Sequence, residues 1–157
     1  VMVANLPYNV GTGIVLDTLR NARNVNRFVV MVQKEVGERF LAGPGSKVYG
    51  VPSVIVGLHA DGRIARRVPR HVFEPAPSVD SVVVVLDRVE APAEVERAIL
   101  LAQAGFGQRR KMLRRSLATV VDDPMAMLDA AGIDGTRRAE ELTPSDYVDL
   151  ARQGEWE

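Results

Sequence analysis

The sequence predicts an α/β fold in residues 1–90, followed by a small all-helical part. Two observations predict this class. Short apolar runs of strand type alternate with helical patterns as far as residue 88, which is typical of a sheet covered by helices. After the dipeptide Ala91-Pro92 only helical patterns follow, and proline at this position favours a boundary. We therefore predict two domains, residues 1–90 and residues 91–157.

Strand and helix alternate from the first residues of the chain. Val1–Ala4 is a short apolar run and predicts a buried strand, while Arg27–Val32 is continuously apolar in the manner of a parallel strand covered on both faces. Between them, Gly11–Ala22 has an apolar face at helical spacing. Lys34–Ala42 predicts a second helix, which Gly43-Pro44-Gly45 would end.

A pair of strands at the sheet edge is expected next, after a short helix over Val51–Gly57. The strands are predicted over Arg63–Val68 and Asp80–Leu86, as in a hairpin with a long connection. The connection contains Pro69, Pro75 and Pro77, so we expect an extended, stiff arm rather than a helix. The later helices are predicted over Ala93–Gly105, Arg110–Val121, Pro124–Ala131 and Pro144–Arg152.

Composition excludes several classes of protein and site. The 157 residues contain no cysteine, which excludes disulfide frameworks and cysteine-based zinc sites and fits a cytoplasmic protein. The sequence shows no signal peptide and no apolar stretch of about 20 residues, so a membrane span is not expected. His59 and His71 have no partners at metal-ligand spacing, and no metal site is predicted.

The loop Asn5-Leu6-Pro7-Tyr8 follows the first strand directly and predicts amine chemistry. The Asn5 side-chain oxygen and the Leu6 carbonyl, whose position Pro7 restricts, could accept the two hydrogens of an aromatic amine and favour its tetrahedral form. Such dipoles stabilise the positive charge that develops when the amine attacks. Tyr8 offers a face on which a base can stack. The alternative is an ordinary turn, with Tyr8 capping a core.

A second aromatic residue, Phe73, begins the proline-rich part of the arm. It could be a core residue at a strand end. The other interpretation is a stacking surface opposite Tyr8, so that the two rings hold a flipped base between them. The chain contains only four Phe, three Tyr and one Trp, which makes an aromatic on each side of one pocket a notable pairing.

Basic residues are concentrated within a chain whose formal net charge is zero. In a helix over Arg110–Val121, the spacings of three and four would bring its basic side chains together as one positive stripe. A solvated helix face is the plain interpretation, and phosphate binding is the functional one. Lys47 and Arg39 could extend this surface, as could a run of strand arginines whose side chains would alternate between two faces. The cluster comprises Arg109, Arg110, Lys111, Arg114 and Arg115, and the strand arginines are Arg63, Arg66, Arg67 and Arg70.

Several blocks occur in the order found in KsgA-type ribosomal RNA adenine dimethyltransferases, and the chain resembles the C-terminal part of that family over nearly its whole length. The first block alone is shared with other amino-methyltransferases, whereas the ordered set is specific. The blocks are Asn5-Leu6-Pro7-Tyr8-Asn9, Val32-Gln33-Lys34-Glu35-Val36 with Arg39, Pro44-Gly45-Ser46-Lys47-Val48-Tyr49-Gly50, Phe73-Glu74-Pro75-Ala76-Pro77-Ser78-Val79-Asp80-Ser81, Phe106-Gly107-Gln108-Arg109-Arg110-Lys111-Met112-Leu113-Arg114 and Arg138-Ala139-Glu140-Glu141-Leu142.

The resemblance implies transfer of methyl groups from S-adenosylmethionine to adenine amines of small-subunit ribosomal RNA. Residues 1–90 would then be the C-terminal half of a Rossmann-like methyltransferase domain, and residues 91–157 a helical RNA-binding domain. Asn5, Leu6, Pro7, Tyr8 and Phe73 match the family's catalytic positions, and only Asn5 matches a cofactor position. The family's glycine-rich cofactor loop and acidic ribose ligand would precede Val1, so we expect this chain alone to be inactive. The alternative is a non-catalytic RNA-binding or ribosome-assembly module.

Overall fold

A computed structural model describes residues 1–154 of the chain. Four strands form one mixed sheet in the order β1-β2-β4-β3. Strand β1 pairs in parallel with β2, whereas β4 runs antiparallel to both of its neighbours. The strands are β1 Met2–Asn5, β2 Arg27–Gln33, β3 Ala60–Val68 and β4 Ser81–Arg88.

Seven helices accompany the sheet within residues 1–154, together with short 3₁₀ turns at Arg70–Val72, Leu117–Thr119 and Ala139–Glu141. The helices are α1 Gly11–Asn21, α2 Lys34–Phe40, α3 Val51–His59, α4 Val95–Gly107, α5 Leu113–Ser116, α6 Pro124–Ala130 and α7 Pro144–Gln153. No helix in this part of the chain is long and apolar enough to cross a membrane.

The sheet has one well-covered face. Side chains of β2 and β4 that point to this face, such as Phe28, Val84 and Leu86, are fully buried in a cluster that also contains Val15 and Leu19 of α1. Alternation along the strands places their remaining side chains on the opposite face. Helices α1 and α2 therefore cover one face of the sheet, and the opposite face is more open.

A second apolar cluster joins the later helices to α3. Val54, Ile55 and Leu58 of α3 belong to it, together with the ring of Tyr49. Val56 of the same helix packs in the sheet cluster instead. Helix α3 thus contributes to both cores, and the packing does not divide at residue 90. The division into residues 1–90 and 91–157 stays a prediction, and residues 155–157 lie outside the described part.

Two expectations about burial and helix length are wrong. Val1–Ala4 was expected to be a buried strand, but Val3 of β1 is 75% exposed. Its side chain points to the face of the sheet that no helix covers among residues 1–154, and β1 also has a neighbouring strand on one side only. The helix predicted over Arg110–Val121 reduces to α5 and a 3₁₀ turn. Its first turn is replaced because the amide of Leu113 donates to the carbonyl of Arg137 over 2.8 Å and Met112 has an extended backbone.

The remaining predicted elements are confirmed with shifts of a few residues at their ends. The β3–β4 pair forms as expected, although of these two strands only β3 lies at an edge of the sheet, and β4 lies inside it. The arm between them is irregular, as the prolines predict, except for the 3₁₀ turn over Arg70–Val72. In this turn the amides of Val72 and Phe73 donate to the carbonyls of Pro69 and Arg70, and Pro69 can precede it because proline's missing amide is not needed for either bond.

Candidate functional site

The loop after β1 is held at both of its ends. The amide of Leu6 donates to the carbonyl of Met31 on β2 over 3.2 Å, which continues the parallel pairing one residue past β1. The carbonyl of Pro7 accepts from the amide of Gly11 over 2.9 Å, at the start of α1. The loop is therefore anchored to the carboxyl ends of two parallel strands, where ligands of α/β sheets usually bind.

A pocket of about 400 Å³ opens beside this loop. Its volume falls in the range of about 300–1,000 Å³ that is usual for small-ligand sites. The loop supplies one wall, Met31 of β2 another, and the arm between β3 and β4 the third. The lining residues are Asn5, Leu6, Pro7, Tyr8, Met31, Phe73, Pro75 and Pro77. All five residues predicted as catalytic, Asn5, Leu6, Pro7, Tyr8 and Phe73, thus line one pocket.

Two hydrogen-bond acceptors in the pocket are unused. Within residues 1–154, neither the side chain of Asn5 nor the backbone carbonyl of Leu6 has a hydrogen-bond partner. Both belong to consecutive residues at the end of β1. An amide oxygen and a backbone carbonyl in this position can accept hydrogens from an amine, and they carry no net charge that would need desolvation.

The ring of Tyr8 is positioned by a buried hydroxyl. Tyr8 is 41% exposed, and its hydroxyl lies 3.1 Å from the side-chain oxygen of Ser81, which is 1% exposed. The two residues are 73 positions apart in the sequence. Because Ser81 is the first residue of β4, the hydrogen bond joins the tyrosine ring to the sheet. The tyrosine therefore remains partly exposed while its hydroxyl is held.

The arm that carries Phe73 is braced at its base. The amide of Arg70 donates to a carboxylate oxygen of Asp80 over 2.9 Å, and the guanidinium of Arg70 donates to the carbonyl of Ser78 over 3.0 Å. The ends of the arm are thereby clamped together before β4 begins. Phe73 is half-buried and lines the pocket from this arm. The arm can hold its ring opposite the loop without help from a helix.

The basic cluster does not form a single stripe. Arg110 and Lys111 lie in the turn between α4 and α5 and are exposed, whereas Arg114 and Arg115 are exposed on α5. Arg109 turns back into the fold: its Nε lies 3.5 Å from Oε2 of Glu140 and its terminal nitrogen 3.5 Å from the carbonyl of Lys47.

The surroundings of Arg109 have two consequences. Its guanidinium carbon is 5.8 Å from the centre of the Phe106 ring, which adds a cation–π contact. The Glu140 oxygen that it approaches is buried and has no hydrogen bond, so the ion pair is its compensation. Arg109 also brings Lys47 near the turn between α4 and α5. The other five basic residues predicted to bind RNA take no part in this ion pair.

Three buried titratable side chains lie away from the pocket and have structural partners. Tyr49 and Tyr147 donate hydrogen bonds to the carbonyls of Leu142 and Ala139, and burial raises the pKa of both phenols. Burial lowers the pKa of His59, whose Nδ1 lies 2.8 Å from the Ile55 carbonyl. Among residues 1–154, no three histidine, aspartate or glutamate side chains are grouped as metal ligands would be.

Two residues that shape the site were missed from the sequence, Met31 in the pocket lining and Ser81 behind Tyr8, while the lining residues Pro75 and Pro77 were assigned only to the arm. Met31 could have been found from strand pairing, because a parallel neighbour of β1 must end beside Asn5, and its register indeed pairs Asn5 with Met31. Ser81 carried a weaker signal: it is a polar residue at the head of a run of valines that fills a buried strand. Neither residue has a chemical type that suggests catalysis on its own.

Comparisons with known proteins are consistent in the kind of relative they find. The family model described as ribosomal RNA adenine dimethylase matches residues 1–154. A protein named ribosomal RNA small subunit methyltransferase A from Leifsonia xyli subsp. xyli is 48% identical over 157 residues, covering 96% of this chain and 56% of that protein. One of the same name from Bifidobacterium longum is 43% identical, with 96% and 53% covered. The chain thus spans about half the length of these relatives.

Solved structures support the fold. A dimethyladenosine transferase from Plasmodium falciparum superposes with a TM-score of 0.81 at 24% identity, covering 94% of this chain and 64% of that one. The 23S rRNA methyltransferase ErmE gives a TM-score of 0.69 at 22% identity, with 96% and 63% covered. These similarities confirm the predicted α/β class.

Proposed function

Because the chain belongs to the ribosomal RNA adenine dimethylase family, we propose that it forms the base-binding and RNA-docking part of an adenine dimethyltransferase. The substrate is ribosomal RNA of the small subunit in the cytoplasm, and S-adenosylmethionine is the methyl donor. Residues 1–90 contribute the acceptor side of the catalytic domain, and residues 91–157 the helical RNA-binding domain. The observation that carries this proposal is the single pocket that Asn5, Tyr8 and Phe73 line together.

Asn5 and Leu6 prepare the amine for attack. The lone pair of an adenine amine is delocalised into the ring, so the nitrogen reacts only as it becomes tetrahedral. Its two hydrogens would be accepted by the Asn5 side-chain oxygen and the Leu6 carbonyl, both free of partners within residues 1–154. As a new nitrogen–carbon bond formed and the sulfur–methyl bond of the donor broke, positive charge would grow on the amine, and these fixed dipoles would stabilise it more than they stabilise the neutral base. The methylated amine would then release one proton to water.

Tyr8 and Phe73 hold the base. A base that leaves its stack loses several favourable contacts, and stacking on an aromatic side chain restores roughly 1–3 kcal/mol per base. The two rings line the pocket from opposite elements, the loop after β1 and the proline arm. A flat base between them would present its amine edge to Asn5 and Leu6. The hydrogen bond between the hydroxyls of Tyr8 and Ser81 keeps one of these rings in place before the base arrives.

The exposed basic residues dock the surrounding RNA. Arg110 and Lys111 in the turn and Arg114 and Arg115 on α5 provide charge for phosphates, and Lys47 lies on a loop that Arg109 links to the same turn. Contacts of this kind position a nucleic acid without reading its sequence. We assign Arg109 a mixed role, since its guanidinium also compensates the buried oxygen of Glu140.

The pocket suits a base better than the whole methyl donor. Its lining offers the amide of Asn5 and no carboxylate that could hold ribose hydroxyls. S-adenosylmethionine supplies an electrophilic methyl group when bound, and Asn5 is the one residue of this chain that we assign to its site. We therefore expect the 157-residue chain alone not to bind S-adenosylmethionine tightly or to transfer methyl groups. Titration calorimetry that shows tight one-to-one binding would contradict this.

A chimera tests the proposed activity. This chain would replace the matching part of the Leifsonia xyli relative, which is 48% identical. We expect the chimera to form dimethyladenosine in small-subunit ribosomal RNA, measured by mass spectrometry of nucleosides. Tyr8→Ala and Phe73→Ala should each reduce turnover by at least about tenfold, the lower part of what loss of a stacked base costs. Tyr8→Phe keeps the ring and loses only its hydrogen bond to Ser81, so it should reduce turnover less, by about fivefold.

Two results would change the proposal. Equal turnover by the alanine variants and the unchanged chimera would remove the two-ring pocket. An inactive chimera, together with salt-dependent RNA binding by the chain alone, would favour a non-catalytic RNA-binding module, the second candidate function. The observation that favours that candidate is the group of exposed basic side chains around α5, which includes Arg110, Lys111 and Arg114.

A further inference from the structure

Strand β3 is exposed along most of its length and carries arginines that the proposed RNA-docking surface does not include. Every residue from Asp61 to Arg67 is exposed except Ile64, which is intermediate. Arg63 lies 3.7 Å from a carboxylate oxygen of Asp87. Arg66 and Arg67 have no such acidic partner within residues 1–154. Two neighbouring arginines on one edge strand are thus available for another molecule.

A bulge in β3 decides which of these arginines faces the pocket. The pairing with β4 is regular from Ala60 to Ile64, then skips Ala65 and resumes with Arg66 opposite Val83. Without the extra residue, Ala65 would lie opposite Val83 and Arg66 one step further on. Bulges are common beside functional sites, where they redirect a side chain. Here the bulge exchanges the faces to which Arg66 and Arg67 point.

The register places Arg66 on the pocket face of the sheet. Asn5 pairs with Met31, Met31 with Val83, and Val83 with Arg66, so these residues form one row across the four strands. Paired residues of neighbouring strands point to the same face. Asn5 and Met31 line the pocket. Strands are about 4.8 Å apart, so the Arg66 backbone lies roughly 10 Å from that of Met31.

Arg67 points to the other face. It pairs with Val82, a residue of the apolar cluster beneath the helices. Its side chain is exposed at the edge of that covered face, away from the pocket. Arg66 and Arg67 therefore have the same chemical type, similar exposure and adjacent positions, and differ in the face that they serve.

We propose that the bulge at Ala65 directs Arg66 to a phosphate of the RNA strand next to the base in the pocket. This inference rests on the proposed function, because the RNA must enter the pocket for Arg66 to reach its backbone. Guanidinium groups suit phosphate oxygens through paired N–H donors. The contact holds the backbone beside the flipped nucleotide and leaves recognition of the base to Tyr8, Phe73 and Asn5.

Edge protection is the competing explanation of these arginines. Charged side chains on edge strands prevent pairing with other chains. In that role Arg66 and Arg67 are equivalent, since both charge the same edge. Phosphate binding makes them unequal, because only Arg66 shares the face of the pocket. The adjacent pair therefore separates the two explanations within the same strand.

The test compares Arg66→Gln with Arg67→Gln in the 157-residue chain. The probe is a fluorescein-labelled RNA hairpin with an adenine-rich single-stranded loop. Binding is measured by anisotropy at roughly 50 to 300 mM KCl, a range over which the Debye length shortens and salt screens the phosphates increasingly. Arg66→Gln should weaken binding by roughly threefold to tenfold and flatten the slope of log K against log salt by about 0.7, the value for one phosphate of a single strand. Arg67→Gln should leave the slope unchanged, and Arg66→Lys should restore most of it.

Each outcome decides between the alternatives. If both glutamine variants are monomeric by light scattering and neither changes the slope, the proposal is overturned while the pocket stays intact. A slope reduced equally by both variants would also overturn it, since it indicates charge without direction. Failure of the pocket itself has a separate sign: Tyr8→Ala would bind the same RNA as tightly as the unchanged chain.

Discussion

The pocket and the basic cluster show opposite relations between sequence and space. Tyr8 and Ser81 are 73 positions apart, yet their hydroxyl oxygens lie 3.1 Å from each other. Arg109 and Arg110 are neighbours in the sequence, yet one turns back to Glu140 and the other is exposed in a turn. Strand pairing holds distant residues together, whereas a run of similar side chains gives no common direction unless a regular element supplies one.

The largest expected effect comes from the packing beneath the pocket. A Cβ atom on Gly37 of α2 would lie 2.4 Å from Cγ2 of Val82. Gly37→Ala should therefore lower the free energy of unfolding by about 2 kcal/mol, as overpacking of a core does. Gly13→Ala in α1 is the matched control, since no atom lies within 4 Å of its added Cβ, and it should be neutral or stabilising. Urea denaturation measures both, and equal midpoints would contradict the tight contact.

Arg109→Ala should separate the structural arginine from its neighbours. Loss of its guanidinium leaves the buried Oε2 of Glu140 without compensation, and we expect a loss of about 1 kcal/mol because the arginine itself is partly exposed. Arg110→Ala should change the unfolding temperature little and should flatten the salt dependence of RNA binding. Calorimetry and anisotropy on both variants check the contrast. A stability loss of the same size in Arg110→Ala would mean that the cluster behaves as one unit.

Ser81→Ala should weaken base stacking through Tyr8. Removal of the hydroxyl deletes the 3.1 Å hydrogen bond and leaves the tyrosine ring free to rotate, at a cost of about 1 kcal/mol in binding of a stacked base. Ser81→Thr keeps the hydroxyl and should restore binding. The comparison uses the affinity of the chain for an RNA loop, with the unfolding temperature as the control for folding. Identical affinities of Ser81→Ala and the unchanged chain would show that Tyr8 needs no positioning.

The smallest expected effect is a pH dependence at the junction of the two apolar clusters. His59 is 4% exposed at the end of α3, and burial lowers its pKa below the ordinary value. The unfolded chain therefore binds this proton more readily than the folded chain. Its contribution to stability is complete above about pH 6.5 and is lost as the pH falls below that value. Unfolding temperatures at pH 7.5 and 5.0 should differ less in His59→Gln than in the unchanged chain; an equal difference would contradict this.

The same contrast explains what could be predicted from the sequence. The apolar runs at Arg27–Val32 and Asp80–Leu86 predict strands because β-branched and aromatic side chains fit the pleated, buried surface of a sheet. The helix over Arg110–Val121 was predicted from residues that favour helices, but its first turn is lost because the amides of Leu113 and Arg114 donate to carbonyls of a distant loop. Propensity gives way where tertiary hydrogen bonds compete.

The site shows the same limits. The loop of Asn5 and Tyr8 could be assigned in advance, because its position at a strand end follows from the preceding apolar residues. The tyrosine's partner could not, since Ser81 becomes its neighbour only through the order β1-β2-β4-β3, in which β4 is inserted next to β2. The face of Arg66 also depends on one extra residue in the ladder. A shift of one residue reverses every side chain beyond it.

The most direct measurement is the fluorescence of 2-aminopurine placed at a loop adenine in a bound RNA. If Tyr8 and Phe73 hold a base between them, fluorescence should be quenched when the RNA binds the unchanged chain. At saturating protein, Tyr8→Ala and Phe73→Ala should each recover much of the signal. Quenching that neither variant alters would contradict the two-ring pocket, and with it the acceptor side of the proposed reaction.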